Sequence, residues 1–162
     1  MATAENTLQR LKRISSTKAR DAAAFNKALD EYANNLPAAH IAKLQVALAL
    51  QLIRKIVMRT PVGNPSLWKT PPAAGYVGGR ARANWQVSVS SSMPKRSLKK
   101  KDKSGGETIQ TRTNQILRHQ IGNPIFIVNN LSYVPFLEDG SSTQAPVGML
   151  SVSLAEVKEQ FS

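Results

Sequence analysis

The residues with chemical potential in this chain point first toward phosphate and only weakly toward proton transfer. From Gly63 to Thr70 a glycine stands several residues ahead of Lys69-Thr70, the order found in a phosphate-binding P-loop. That chemistry needs a glycine directly before the lysine, so that backbone N–H groups converge at a helix start. Here Trp68 precedes Lys69 and Pro71-Pro72 forbids the helix, so nucleotide hydrolysis is not expected. Gly78-Gly79-Arg80-Ala81-Arg82 could form a phosphate nest, since paired glycines expose backbone donors and arginines bind oxyanions in bidentate fashion. The favoured alternative is a tight turn feeding a strand, with Arg80 and Arg82 ion-paired across a subunit contact. Glu138-Asp139 could do acid–base work in a dry cleft. Beside Gly140 at a helix end, the pair is instead expected to meet the basic face of a neighbour. His40 and His119, near helix ends, read as capping or surface groups rather than general bases. No Gly-x-Ser-x-Gly elbow gives a serine a role beside them. The chain has no cysteine, which removes disulfides, thiolate metal sites and thiol nucleophiles. Two isolated histidines offer little to zinc. No catalytic residue, metal or cofactor is expected, and the chain reads as a non-enzyme.

The strongest electrostatic feature is the cluster Lys95, Arg96, Lys99, Lys100, Lys101 and Lys103, in a chain of formal charge +12. Such a cluster attracts phosphate without regard to sequence and in a salt-sensitive way. Reading bases would need a defined element in a groove, and stacking on single strands would need interleaved aromatics, which are missing. Contact with double-stranded DNA, docking on an acidic partner protein and a merely solvated loop all remain open. The charge is also lopsided. Between Tyr32 and Lys101 there are no acids and twelve bases, whereas from Glu107 onward five acids face three bases.

These groups must be positioned by one domain, since 162 residues suffice for a single core. The pattern predicts a basic N-terminal arm over residues 1–16 and a single α+β domain over 17–162, with a flexible lysine-rich loop at 92–106. A first helix is expected over 17–34, with Phe25, Ala28, Leu29 and Tyr32 at helical spacing and Thr17 as N-cap. A longer one is expected from Pro37 to Arg59, ended by Thr60-Pro61. At about 100° per residue its apolar side chains, among them Ile41, Leu48, Ile53, Ile56 and Val57, span an arc of roughly 200°. Lys43, Gln51, Arg54 and Lys55 are left on a narrow polar stripe. Such an arc packs on the chain's own sheet, or is completed in part by another subunit.

Residues 61–79 hold four prolines and four glycines and predict an extended loop pinned by Trp68 and Tyr76. Trp85, Val87 and Val89 alternate with Gln86, Ser88 and Ser90, predicting a strand over 83–91 with one buried face. A helix over 107–119 and a strand over 125–128 paired with the first strand should follow. Leu150, Val152 and Leu154 predict a short strand or bend, passing into a terminal helix capped at Ser153. The whole reads as long N-terminal helices packed on one face of a small antiparallel sheet. No apolar run reaches the roughly 18 residues of a membrane span, and the first fifteen residues lack the pattern of a secretory signal. A cytosolic protein without a membrane partner is expected.

The densest run of turn chemistry is 129–149. Ser132 offers an N-cap to a short helix through Tyr133, Phe136 and Leu137, Pro135 falls in its first turn, and Gly140 can close it. Its Asn129-Asn130-Leu131, Leu137-Glu138-Asp139-Gly140 and Gln144-Ala145-Pro146-Val147-Gly148-Met149 segments resemble the neck, or tail-completion, group of tailed-bacteriophage virion proteins. An earlier block is similar to the same family: Thr60-Pro61-Val62-Gly63, Asn64 to Lys69, Gly75 to Arg80 and Ala83-Asn84-Trp85. The likeness covers roughly residues 17–160. The basic arm and the lysine-rich segment depart from it.

The resemblance implies a non-enzymatic ring subunit at the head–tail junction of the virion, assembled in the host bacterial cytoplasm. Such a subunit joins the DNA-filled capsid to the tail and surrounds the DNA channel. A homo-oligomeric ring of six is favoured over twelve, against portal, adaptor, head-closure or tail-terminator neighbours. Head-to-tail ring closure needs two unlike faces, which a basic front and an acidic rear could supply. The ring interface is then expected at Tyr133, Val134, Phe136, Leu137, Glu138, Asp139, Gln144, Pro146 and Met149, with Arg80 and Arg82. Tyr133 and Phe136 could equally belong to the chain's own core. The rival readings are a free, sequence-independent nucleic-acid-binding protein, a tail-terminator ring subunit and, more distantly, a hydrolase.

Overall fold

A computed structural model describes residues 37–160 of the chain. The expected arm at 1–16 and the helix at 17–34 lie outside these residues. Helix α1 (Ala38–Arg59) ends at Thr60, whose ψ of 123° is the extended value imposed on a residue before proline. Thr60 is fully buried and ties three elements together. Its hydroxyl donates to the Ile56 carbonyl at 2.6 Å and accepts the Trp85 indole N–H at 2.7 Å. Its carbonyl accepts Arg82 Nε at 2.8 Å, while Arg82 Nη2 reaches the Met58 carbonyl at 3.0 Å. A guanidinium at this end of α1 satisfies carbonyls the helix leaves open and sits favourably on its dipole.

Gly79, at φ 92°, turns the chain into the single-turn helix α2 (Arg80–Ala83), and strand β1 (Trp85–Ser88) follows. The strand is shorter than the alternation predicted. On its far side Ser88 Oγ accepts the Ser90 N–H at 3.3 Å and Ser90 Oγ that of Ser92 at 3.4 Å. The serine run therefore diverts its own amides into local turns. Strand β2 (Phe126–Asn129) pairs antiparallel with β1, Trp85 opposite Asn129 and Val87 opposite Ile127. These are the two strands among the described residues, and their pairing is as expected.

One face of the ribbon meets the helices. Helix α3 (Gly106–Ile116) packs on β1 and α1, and the terminal helix α5 (Leu150–Gln160) packs on α1. The core gathers Ile53, Ile56 and Val57 of α1 with Trp85, Val87, Ile116, Leu131, Val134 and Met149. Lys43, Gln51 and Arg54 lie exposed on the polar side of α1, whereas Lys55 pairs with Glu156 of α5 at 2.8 Å. Among the described residues no helix is long and apolar enough to cross a membrane.

The other face corrects the sequence reading. Gln86, assigned there to solvent, is 9% exposed, because residues 92–106 lie across the ribbon. Gln86 Nε2 donates to the Arg96 carbonyl at 2.8 Å and Asn130 Nδ2 to that of Pro94 at 2.9 Å. Asn84 grips Leu98 twice, accepting its N–H at 2.6 Å and donating to its carbonyl at 3.0 Å. Side-chain amides thus replace the ladder of a third strand. The segment expected to be a flexible loop is a strap with a fastened backbone, although it forms no helix or strand of its own.

Asp102 closes the strap. One carboxylate oxygen accepts from Gly105 N and Ser104 Oγ, the other from Thr108 N and Thr108 Oγ1, all within 2.8–2.9 Å. It thereby caps α3, a task the flanking Gly105 cannot perform. Burial by itself would raise the Asp102 carboxyl, but the Thr108 and Gly105 amides and the Thr108 and Ser104 hydroxyls prevail and bring it down to about 2. Because the folded pKa lies below the unfolded value, this stabilisation is full above pH ~4 and disappears as pH falls toward 2. Asp102→Asn is expected to cost about 2 kcal/mol at pH 7 in urea unfolding. The gap between variant and wild type should close near pH 2, and an equal gap at both pH values would refute the assignment.

Candidate functional site

Two stretches distant in sequence form one groove of about 560 Å³. Pro61 to Asn64, Leu67, Trp68, Tyr76 and Gly79 to Ala81 line it from the first stretch, and Tyr133, Leu137 and Ser141 to Gln144 from the second. The proline-rich stretch is shaped locally. Asn64 caps a 3-10 turn (Pro65–Leu67) by accepting Ser66 N at 3.2 Å and Ser66 Oγ at 2.8 Å. The chain then returns so that Trp68 and Tyr76 meet edge to face, their centroids 4.8 Å apart. A Cβ on Gly63 would fall 2.1 Å from Tyr76 Oη and 3.1 Å from the Trp68 ring, so glycine allows the aromatic pair to lie against the backbone. The predicted pinning aromatics do meet, yet Trp68 and Tyr76 keep about two-fifths of their surface exposed.

The second stretch is shaped by α4 (Val134–Glu138) and the turn after it. Ser132 does not cap α4. Tyr133 holds the cap position without a side-chain bond, and Pro135 occupies the first turn as predicted. Gly140, at φ 82°, closes α4 with its N–H on Leu137 O and the Ser141 N–H on Phe136 O, the Schellman arrangement. Residues 141–148 fold into tight turns with a Ser142–Ala145 bridge and bury Ala145.

The expected interface residues divide sharply. Val134 is 8% exposed and Met149 fully buried, so both belong to the core. Leu137 is half-buried against it. Glu138 is spent inside the chain. Its oxygens accept the N–H groups of Met149, Leu150 and Ser151 at 2.8–2.9 Å and the Ser151 hydroxyl at 2.7 Å. Burial would raise this carboxyl, but the Leu150, Ser151 and Met149 amides outweigh it and hold it below its usual range. The strand expected at Leu150–Leu154 is consequently the first half of α5, and the cap is Glu138, not Ser153, whose hydroxyl bonds Met149 O. Arg82 likewise gives its donors to Met58, Thr60 and Lys103 carbonyls of its own chain and does not face outward as an interface ion.

Tyr133, Phe136, Asp139, Gln144, Pro146 and Arg80 do lie at the surface. Phe136 is 66% exposed, which places it outside the core. Tyr133 is affected most by burial, which raises its phenol pKa, and the Arg80 charge partly reverses this. Of the basic cluster, Lys95, Arg96, Lys99, Lys101 and Lys103 are exposed, and Lys100 pairs with Glu107. His40 is exposed, and His119 Nε2 lies 2.8 Å from Asn123 O. Glu138 and Asp139 form no joint acid–base site, since the first is a helix cap.

Fold and groove define a small α+β domain with a groove lined in part by exposed aromatic side chains and a basic strap across its sheet. Comparison with protein-family models, curated proteins and solved structures gives no match for this chain.

Glu138→Gln removes the charge that holds the Met149, Leu150 and Ser151 amides at the start of α5. It is expected to lower stability by about 1–3 kcal/mol in urea unfolding, with hydrogen exchange rising first at Met149 to Ser151. Unchanged exchange there would contradict the cap.

Proposed function

We propose that this chain is a structural subunit of the head–tail junction of a tailed bacteriophage, a neck or tail-completion protein that docks by its groove. The single observation carrying this reading is spatial. The two sequence blocks that resemble the neck family, separated by most of β1, the strap, α3 and most of β2, line one groove together. Of its lining, Leu67, Trp68, Tyr76 and Tyr133 expose apolar surface, as do Val77, Phe136 and Val147 within the same two blocks. Aromatic side chains held by turns suit a protein interface, because they offer contact area at little entropic cost. The occupant in this reading is the neighbouring copy in a ring, six copies favoured, set between portal-side and tail-side proteins in the virion.

Charge supports a smaller part of this than the sequence suggested. Of the five acids from Glu107 onward, Glu107 pairs with Lys100, Glu138 caps α5, and Glu156 bonds Lys55 and Arg59. Asp139 and Glu159 remain exposed. Adhesion between copies then rests on these exposed apolar side chains more than on unlike charge.

In a phage encoding this chain, particles made without it should accumulate as separate filled heads and tails, counted by electron microscopy, and the wild-type chain should restore joining. Phe136→Asp should keep its circular dichroism, since the side chain is largely exposed, yet restore joining at least tenfold less well. Normally joined particles in the absence of the chain would overturn the proposal.

A further inference from the structure

The strap carries charge in an unusual way for a lysine-rich segment. Its backbone is held at Pro94, Arg96 and Leu98 by Asn130, Gln86 and Asn84, and at Asp102 by the Gly79 carbonyl, which accepts its N–H at 3.1 Å. The side chains between these points are left outside. Lys95, Arg96, Lys99, Lys101 and Lys103 are all exposed, so the cations project from a fixed track and not from a free coil. Holding the backbone removes part of the ordering entropy that a disordered basic tail loses on binding.

Among the described residues no acidic surface answers this track. Asp102 is enclosed beneath it by four donors, and Glu107 takes only Lys100. Glu138 and Glu156 are committed elsewhere in the chain, which leaves Asp139 after α4 and Glu159 in α5 as the other exposed acids that the described residues of a second copy offer. Five cations on one track are matched better by a dense external polyanion than by these two carboxylates. Between Ser88 and Gly105 the strap holds no aromatic ring for stacking on unpaired bases. It presents no helix or strand to enter a groove and read base edges. What remains is attraction to closely spaced phosphates, densest along a duplex at about one charge per 1.7 Å.

We infer that Lys95, Arg96, Lys99, Lys101 and Lys103 form a phosphate-contacting surface for double-stranded DNA, independent of base sequence. This rests on the strap and its fastening, and it stands whether or not the chain forms a ring at a head–tail junction.

The test uses the full chain and a duplex of about 20 base pairs in fluorescence anisotropy across a salt series. With about four to five phosphates neutralised, log K should fall against log salt with a slope near −4. Lys95→Gln, Lys99→Gln and Lys101→Gln together should flatten the slope by about 2.7, since each neutralised phosphate contributes about −0.9, and weaken binding about tenfold or more at ~0.1 M salt. Neutralising three exposed bases elsewhere, Lys43→Gln, Arg54→Gln and Lys69→Gln, changes net charge equally and should leave the slope within about one unit of wild type. Circular dichroism checks that both variants are folded, which the fastening by backbone atoms favours. Equal losses from both variants would reduce the effect to net charge and overturn the inference. So would an unchanged slope in the strap variant, tighter binding to a single strand of the same sequence, or tighter binding to poly-glutamate. Absence of duplex binding by the wild-type chain, with head–tail joining dependent on it, would sink this inference and spare the ring; duplex binding through the strap by a chain that joining does not need would do the reverse.

Discussion

The structure depends on one constraint, the need to satisfy buried backbone groups in a domain whose described sheet is two strands of four residues. A ribbon so short supplies few ladder bonds, and a buried carbonyl or amide left unpaired costs on the order of 1–3 kcal/mol. Polar side chains take over the task. Arg82 covers the end of α1, and Arg112 Nε donates to the Trp85 carbonyl at 2.7 Å from within the core. Asn129 Nδ2 donates to the Ala81 carbonyl at 2.9 Å, while Asn84, Gln86 and Asn130 hold the strap. Asp102 and Glu138 do the same for the N-termini of α3 and α5. These are charged or amide groups acting as pieces of secondary structure.

That use of side chains shapes the surface. Asp102 and Glu138, the acids recruited to N-termini, are drawn inward, while most lysines of the described residues are exposed. The outward field of the described residues is therefore more one-sided than the composition alone implies, and it is concentrated where the strap crosses the ribbon. Arg112 and Lys158 are the buried bases among the described residues, and Arg82 is half-buried; Arg82 and Arg112 reach backbone carbonyls from inside the fold. A planar guanidinium spans several carbonyls and holds its charge although burial lowers its pKa, whereas a lysine there would more readily give up its proton.

Much of the scaffold was legible in the sequence because it follows periodicity and punctuation. α1 ends at Thr60-Pro61, the two strands pair, Pro135 opens α4 and Gly140 closes it, all by rules local to a few residues. The misreadings share a different cause. Gln86 looked solvent-facing because alternation registers one buried face and is blind to a strap that returns to cover the other. Glu138 looked like an interface acid because its partners begin eleven residues away. Val134 and Met149 looked like anchors because apolar side chains at turns fit a core or an interface equally well. Asp102 did leave a signal, a lone acid among bases six residues ahead of Thr108 at a helix start. Arg112 left none, since nothing in its neighbours marks it as buried.

Groove and strap are also mechanically one object, joined at Gly79. This residue lines the groove, and its carbonyl accepts the Asp102 N–H that ends the strap. Its φ of 92° suits glycine, and a Cβ there would fall 2.5 Å from the Asp102 carbonyl carbon. Three residues on, Arg82 binds Met58 and Thr60 at the end of α1 and Lys103 in the strap. The strap is thus tied to the groove lining at Gly79 and to the end of the long helix through Arg82 by direct hydrogen bonds and close packing. Two surfaces of different chemistry, one partly apolar and one cationic, are in this way tied to one another; in the proposed reading this is what a subunit needs if it is to grip a protein neighbour and a nucleic acid together.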